Sequence, residues 1–352
     1  MCRKSRASLA RHLRRLKKSS RKHSHWILIS SRLLWLPEKP DLSPMPNRHL
    51  TVVIPTFRRP AGLERAVSSV LKQEGVDCSK LDVLVVDNDP DASARPVVDT
   101  FQGSNIPVRY CHEPNPGVAN ARNAAIENVQ SDLIIFLDDD QSAPPHWVAA
   151  FLDLFDAHEP IISFGPVETV LPDSVSKHIA YLKAFFARKG PKSSGVYDTY
   201  YGCGNSMFDL SRLRSNEPMF DTRFNETGGE DDRLFDRISR KGHDFGWAHE
   251  AWVNEHVPAH RATLKYTLRR TFAYGQAPCT LAAQQSPPDI PSILFWMTVG
   301  AAQTLVYGLA YCLAWLTRRA DRAIWLDRMV QGIGKVFWFR AFEQRFYGNH
   351  SV

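Results

Sequence analysis

Residues 131–141 read SDLIIFLDDDQ, and this stretch decides the fold. Positions 133–137 form an unbroken apolar run, short and rich in β-branched residues, which predicts a strand buried on both faces. The run stops at Asp138, Asp139 and Asp140. Adjacent carboxylates repel strongly at short range, so a cation is expected among them. Hard oxygen ligands at a strand's carboxyl end suit Mg2+ or Mn2+, and such an ion would hold a diphosphate. A solvated acidic turn is the plainer alternative. Open α/β sheets, however, bind ligands at the carboxyl ends of their strands, where this run places its charges.

The flanking sequence repeats the pattern. An apolar strand at 50–54 closes in Pro55-Thr56, and a proline-initiated helix over 60–73 carries Leu63, Val67, Val70 and Leu71. A second strand at 81–86 ends in Asp87-Asn88-Asp89-Pro90, a third lies at 108–111, and a helix at 118–128 leads into the central run. Strands alternating with helices, with polar residues at each carboxyl end, predict a mostly parallel α/β sheet. Downstream, Gly202, Gly204 and Asn205 mark a tight turn. Two glycines, 228 and 229, precede Glu230 and Asp231, which places these acids on a loop before a helix over 233–241. A strand is expected at 245–253.

The net charge of +7 suggests nucleic acid until it is located. Residues 1–37 hold eleven Lys or Arg and no acid, leaving 33 basic against 37 acidic residues elsewhere, a net −4. A nucleic-acid footprint belongs on the folded domain, so that partner class is set aside. Residues 1–47 read as a basic, disordered extension, with a membrane-bound amphipathic helix, a transit peptide, or a start at Met45 as alternatives. No apolar secretory core is visible there. The six cysteines show no C-x-x-C and are expected to be reduced thiols of a cytosolic setting. Residues 293–316 are almost free of charge. As a helix they would span roughly 36 Å, enough for a bilayer core. Basic residues on both flanks favour a re-entrant hairpin bent near Gly308 or an in-plane helix pair. Phe337, Trp338, Phe339, Phe342, Phe346 and Tyr347 extend the interfacial character to about 347.

Taken alone, the acids suggest two sites. Asp87 with Asp138 to Asp140 could hold a base and a metal-bound diphosphate, and Glu230 with Asp231 could supply a general base. Transfer from a nucleotide-sugar needs both. A dinucleotide oxidoreductase would need a Gly-rich fingerprint after the first strand, where this chain has PTFRRPAG.

VVIPTFRRP (52–60), VVDNDP (85–90), GVANARNAAI (117–126), FLDDD (136–140) and GGEDDRLFDRI (228–238) together resemble, in order and spacing, family 2 glycosyltransferases of the GT-A fold, in particular those of bacterial exopolysaccharide synthesis such as succinoglycan. The resemblance covers about residues 50–275. It implies that Pro55, Thr56 and Arg58 begin the nucleotide loop, although Arg58 stands where many members have Asn. It implies that Asp87 reads a uracil edge and that Arg122 lies near the nucleotide. Asp138 and Asp140 match the outer members of the D-x-D element. Alternate residues of an extended segment point the same way, so the two can serve one site only if the chain turns. Asp140 is the expected metal ligand, Asp138 reaches ribose or metal-bound water, and Asp139 has no assigned role. Asp231 matches the catalytic base, with Glu230 beside it binding acceptor or orienting the loop. His256, ahead of His260, matches a histidine that completes the metal shell, Arg269 and Arg270 a basic pair on the diphosphate, and Gly204 with Asn205 the sugar-pocket turn.

The resulting expectation is a GT-A domain over 48–275 and a membrane-associated region over 290–347. Its activity would be inverting and metal-dependent. The donor would be a nucleotide-sugar, UDP-linked in the first instance, and the acceptor a lipid-linked saccharide at the cytoplasmic membrane face. Transfer to a polyprenyl phosphate and a non-catalytic nucleotide or carbohydrate binder of the same fold are the alternatives.

Overall fold

The structure is a computed structural model that describes residues 49–344, apart from 216, 226, 227 and 320. The expectations for the basic segment 1–47, Met45, Phe346 and Tyr347 lie outside the described residues.

In chain order the main elements begin with β1 (Leu50–Thr56), α1 (Pro60–Val70), β2 (Leu81–Asp87), α2 (Arg95–Asp99), β3 (Val108–His112), α3 (Val118–Asn128), β4 (Leu133–Phe136) and β5 (Gln141–Ser142). They continue with α4 (Trp147–His158), β6 (Ile162–Phe164), β7 (Val167–Val170), α5 (Ile179–Phe186), β8 (Gly195–Tyr197), β9 (Ser206–Asp209), α6 (Glu230–Arg240), β10 (Phe245–Trp247) and β11 (Val253–His256). Three longer helices close the series: α7 (Leu264–Ala283), α8 (Ile290–Leu316) and α9 (Arg322–Val336).

An eight-stranded sheet has the order β3-β2-β1-β4-β9-β6-β10-β8. Its first four strands are parallel, β9 runs antiparallel between β4 and β6, and β8 is an antiparallel edge. The central strand behaves as its composition dictates, because successive side chains point to opposite faces. Leu133, Ile135 and Leu137 join Leu63, Val67, Trp147 and Phe151 in the core beneath α1 and α4. Ile134 and Phe136 join Ala121, Phe220, Phe235 and Phe245 on the other face. A smaller sheet, β5-β11-β7, flanks the carboxyl ends.

Three expectations are corrected. The single strand over 245–253 is two strands, because the turn closed by Ala251 N–H donating to the Ala248 carbonyl (3.1 Å) carries the chain from the large sheet to the small one. The helix after the paired glycines begins at Glu230 rather than 233, so Glu230 and Asp231 occupy its first turn and not a free loop. The apolar segment is not bent at Gly308: α8 is continuous for 27 residues.

Helices α7, α8 and α9 pack backbone to backbone through glycine. A Cβ on Gly275 would collide with the Gln331 carbonyl, one on Gly334 with the Phe272 carbonyl, and one on Gly332 would lie 2.7 Å from the Gly300 oxygen. Small residues at helix contacts are how apolar helices approach closely without relying on water to drive them together. Lys335, buried within the bundle, donates to Gln303 Oε1 at 3.0 Å. The outer face of α8 exposes Leu294, Phe295, Leu305, Leu309, Leu313 and Leu316. It is long and apolar enough to cross a membrane, with only 11% of its most apolar window buried, so it is not the core helix of the domain. The bundle meets the sheet domain through Asp327 on α9, whose Oδ1 accepts from Tyr181 of α5 (2.8 Å) and from Thr271 of α7.

The substitution Gly334→Val should lower the unfolding free energy by about 1–3 kcal/mol or more, because the added atoms overpack a backbone contact. A thermal melt in detergent against wild type, with Ala301→Val on the exposed face of α8 as control, measures it.

Candidate active site

The acid triplet follows β4 into a turn, closed by Gln141 N–H donating to the Asp138 carbonyl at 2.9 Å. The chain therefore does turn where the aspartates sit, and their side chains separate. Asp139 Oδ2 accepts from Thr56 Oγ1 (2.8 Å), and Asp139 Oδ1 and Asp140 Oδ2 accept from one nitrogen, Nη1 of Arg59, at 2.7 and 2.9 Å. Arg261 stands 3.7 Å from Asp140 Oδ2. Asp138 turns the other way, against Gly204, where a Cβ would collide with its carboxylate.

Gly202, Cys203 and Gly204 form the seam that joins the acid turn to α6. Asp138 abuts Gly204 at one end. At the other, Asp231 Oδ2 accepts from the Cys203 amide at 2.9 Å, and a Cβ on Gly202 would lie 3.6 Å from that same oxygen. Asp231 Oδ1 accepts from the Asp232 amide at 2.9 Å, and the N-terminal turn of a helix suits a carboxylate. Arg188, two residues beyond α5, donates to the Gly165 and Asn205 carbonyls (3.3 and 3.2 Å). Burial holds Arg188 below its ordinary pKa, while Asp138, Glu255 and Asp231 all act on its charge.

Burial pushes Asp138 up to about 6, against the pull of Arg122 and with the help of Asp140 and Asp139. Burial, then Asp140 and Asp138, push Glu255 up to about 8. Burial is the larger cause in both, with the neighbouring carboxylates adding to it.

The remaining expected residues fall as follows. Pro55 and Thr56 end β1 beside the acid turn. Arg58, at φ +54°, pairs with Asp89 (3.0 Å) and Asp91 (3.1 Å). Asp87 is fully buried, and its carboxylate accepts from the amides of Ala94 (2.7 Å) and Asp89 (3.1 Å) and from the Tyr110 hydroxyl (3.0 Å), so those bonds shape the β2 loop from within. Arg122 is buried on α3 and ion-paired with Glu230, over the Phe220 ring. That pair fastens α6 to α3, and Asn225, in the segment before α6, accepts through Oδ1 from the Ala119 and Asn120 amides at the start of α3 (2.9 and 3.2 Å). His256 lies beside the turn: its amide donates to the Asp140 carbonyl (2.8 Å), and its Nε2 is 2.8 Å from Ser142 Oγ. Asn205 faces inward, bonded to Trp147, Pro166 and Ala251. Arg269 donates to Gln344 and Arg270 to Tyr274 on α7, while Arg59 and Arg261 pair with carboxylates of the acid turn. Arg59, Arg188, Glu255 and Arg261 were not singled out by sequence. Only Arg59, one residue past Arg58 in the motif, carried a signal.

Among the described residues, no three His, Cys, Asp or Glu side chains converge as a ready-made metal site. The donor chemistry nonetheless fits Mg2+ or Mn2+, since such an ion takes one or two carboxylates and fills its shell with water and substrate phosphate.

The sequence profile described as Glycosyl transferase family 2 matches residues 51–213, the part of the chain holding β1, the acid turn and the glycine seam. Residues 51–213 thus match the family 2 glycosyltransferases. Among curated relatives, the succinoglycan biosynthesis protein ExoM of Rhizobium meliloti is 27% identical over 247 residues, covering 69% of this chain and 78% of that protein. The glucosyl-dolichyl phosphate glucuronosyltransferase of Haloferax volcanii is 27% identical over 208 residues, 58% of this chain and 61% of that one. Among solved structures, the mannosyltransferase PcManGT of Pyrobaculum calidifontis, in complex with GDP-Man and Mn2+, superposes with a TM-score of 0.51 at 19% identity, covering 86% and 91% of the two chains. The glycosyltransferase domain thus has the GT-A-like architecture, with a mostly parallel central sheet.

Burial pushes Glu230 up to about 7, against the pull of Arg122 and with Asp231 adding to the rise. Its folded pKa lies above the ordinary 4.5, so its share of stability is complete below about pH 4.5 and is lost as pH rises through about 7. Glu230→Gln should flatten that part of the profile. Arg122→Met, which strands the carboxylate, should cost about 3–5 kcal/mol, and the double variant less than the sum. Urea denaturation at stepped pH tests all three.

Proposed function

We propose that this glycosyltransferase is an inverting, metal-dependent enzyme that moves a sugar from a nucleotide-sugar, UDP-linked in the first instance, to a hydroxyl of a lipid-linked saccharide. The observation that carries the reading is the Gly202–Gly204 seam, which sets a carboxylate of the acid turn at one end and Asp231 at the other. Donor and acceptor chemistry need such a pairing at one place.

Asp140, with Asp139 and His256 beside it, would hold Mg2+ or Mn2+. When bound, the ion neutralises charge building on the departing diphosphate. Asp231 is held by two backbone N–H groups at fixed orientation. Each of its oxygens keeps a second acceptor position, and one of these takes the proton of the acceptor hydroxyl. As that proton transfers, the hydroxyl oxygen forms its bond to the anomeric carbon from the face opposite the diphosphate. The carbon–oxygen bond to the diphosphate breaks, and its electron pair stays with the leaving oxygen. One displacement with no covalent enzyme intermediate inverts the centre, so an α-linked donor gives a β-linked product. Arg188, on whose charge Asp138 and Asp231 both act, offsets the negative charge of the pair. Glu230, locked to Arg122, positions α6 rather than meeting the acceptor.

A lipid-borne acceptor is supported by the apolar outer face of α8 and by basic residues on either side of it, such as Lys265 and Arg322, a composition suited to the cytoplasmic face of an anionic membrane. Of the two relatives, the Haloferax volcanii enzyme, a glucosyl-dolichyl phosphate glucuronosyltransferase, agrees with that class of acceptor.

Asp231→Asn should lower turnover by about 10²–10⁴-fold while a nucleotide-sugar still raises the melting temperature. Asp140→Ala should lose the extra stabilisation that Mn2+ adds to that ligand. A thermal-shift screen of UDP-, GDP- and TDP-sugars with and without Mn2+, followed by turnover assays, checks both. Equal turnover in wild type and both variants would remove the reading.

A further inference from the structure

We propose that Arg59 is a removable counter-cation: it fills the place between Asp139 and Asp140 in the donor-free protein and gives it up when a nucleoside diphosphate arrives, which makes divalent-ion binding conditional on the donor. The inference rests on the donor-site reading above and adds a regulatory role that the reading does not contain.

The acid turn does not need Arg59 to keep its shape. Thr56 Oγ1 holds the second oxygen of Asp139 at 2.8 Å, and the His256 amide holds the backbone carbonyl of Asp140 at 2.8 Å. The backbone carbonyl of Asp139 also rests on α1 at Gly62, where an added Cβ would stand 2.6 Å away. With the carboxylates fixed from elsewhere, the guanidinium is the exchangeable part. Its side chain is 30% exposed against 7% and 13% for the two carboxylates it joins, so it closes the site from outside. The Arg59 backbone is restrained by Pro60, and its carbonyl accepts from Leu63 N–H at 2.9 Å, so motion is confined to the long side chain.

Charge and shape then set the order of events. One nitrogen of Arg59 bridges the oxygens that a divalent ion would use, and like charges cannot share them. A planar guanidinium prefers the forked acceptors of a phosphate, which a diphosphate supplies at the moment the acids need a doubly charged partner. Arg59 moves from carboxylate to phosphate, and the acids are released. By reciprocity, the diphosphate tightens ion binding by the factor with which the ion tightens diphosphate binding.

The test is Mn2+ binding followed by the electron paramagnetic resonance of free Mn2+, alone and with UDP or GDP, for wild type, Arg59→Gln and Arg59→Lys. Wild type should bind Mn2+ weakly alone and more tightly with nucleotide. Arg59→Gln should bind Mn2+ alone about tenfold more tightly and lose a matching part of the nucleotide-induced gain. Arg59→Lys, which keeps the charge without the fork, should bind Mn2+ alone as wild type does and show a smaller gain. Unchanged or weaker binding of Mn2+ alone by Arg59→Gln, with a normal wild-type response to nucleotide, would overturn this inference and leave the transferase reading standing. Failure of wild type to bind Mn2+ even with nucleotide would overturn both. If circular dichroism shows Arg59→Gln unfolded, Arg59→Lys decides, and an undiminished nucleotide gain there counts against the proposal.

Discussion

Like-charge repulsion at the end of a strand buried on both faces is the constraint from which the site follows. β4 cannot be solvated along its length, so its carboxyl end must release three consecutive carboxylates within one turn. The turn disperses them. Asp139 and Asp140 go toward Arg59 and Arg261, and Asp138 goes toward the glycine seam, within reach of the charges of Arg122 and Arg188. Each arginine comes from a different part of the chain, so neutralising one turn draws together the β1 loop, α3, the segment after α5 and the segment before α7.

The seam between the acid turn and α6 is narrow enough to exclude side chains. Gly202 and Gly204 bring backbone against the two carboxylates, and the Cys203 amide supplies the hydrogen bond that fixes Asp231. The separation of the acids is therefore set by main chain, which moves less than side chains do. On the far side of α6, the Arg122–Glu230 pair holds its first turn against α3, and the Asn225 side chain ties the preceding segment to the start of α3. Two anchors from opposite directions leave Asp231 little freedom to rotate.

Much of this was legible in the sequence because it depends on local pattern. The apolar runs of β1, β2 and β4 and the alanine-rich α3 lie where periodicity places them, and the acids at 138–140 and 231 mark the two halves of the site. What escaped depends on tertiary neighbours. Nothing local tells Arg59 from Arg58, yet a positive φ turns Arg58 toward Asp89 while its neighbour enters the acid turn. Arg188 and Glu255 acquire meaning only when β7, β9 and β11 bring distant segments together. Asp87 ends a strand as expected, but the amides of its own loop bind its carboxylate first. The run over 245–253 looked continuous because composition does not record a change of sheet. Gly308 looked like a break because a glycine that makes room for Met329 reads the same as one that bends a helix.

The carboxylate of Asp327, shared between Tyr181 and Thr271, couples two bodies of different character. Helix α5 is gripped at its first turn by the apolar bundle, and its far end runs on to Arg188, on whose charge Asp138 and Asp231 both act. One short helix thus serves both the apolar bundle and the candidate site. The joint is broader than that one oxygen: Tyr181 and Leu182 pack with Ala323 of α9, and Phe186 stacks on Tyr266 of α7, so the end of α5 nearest Arg188 is itself seated on the bundle.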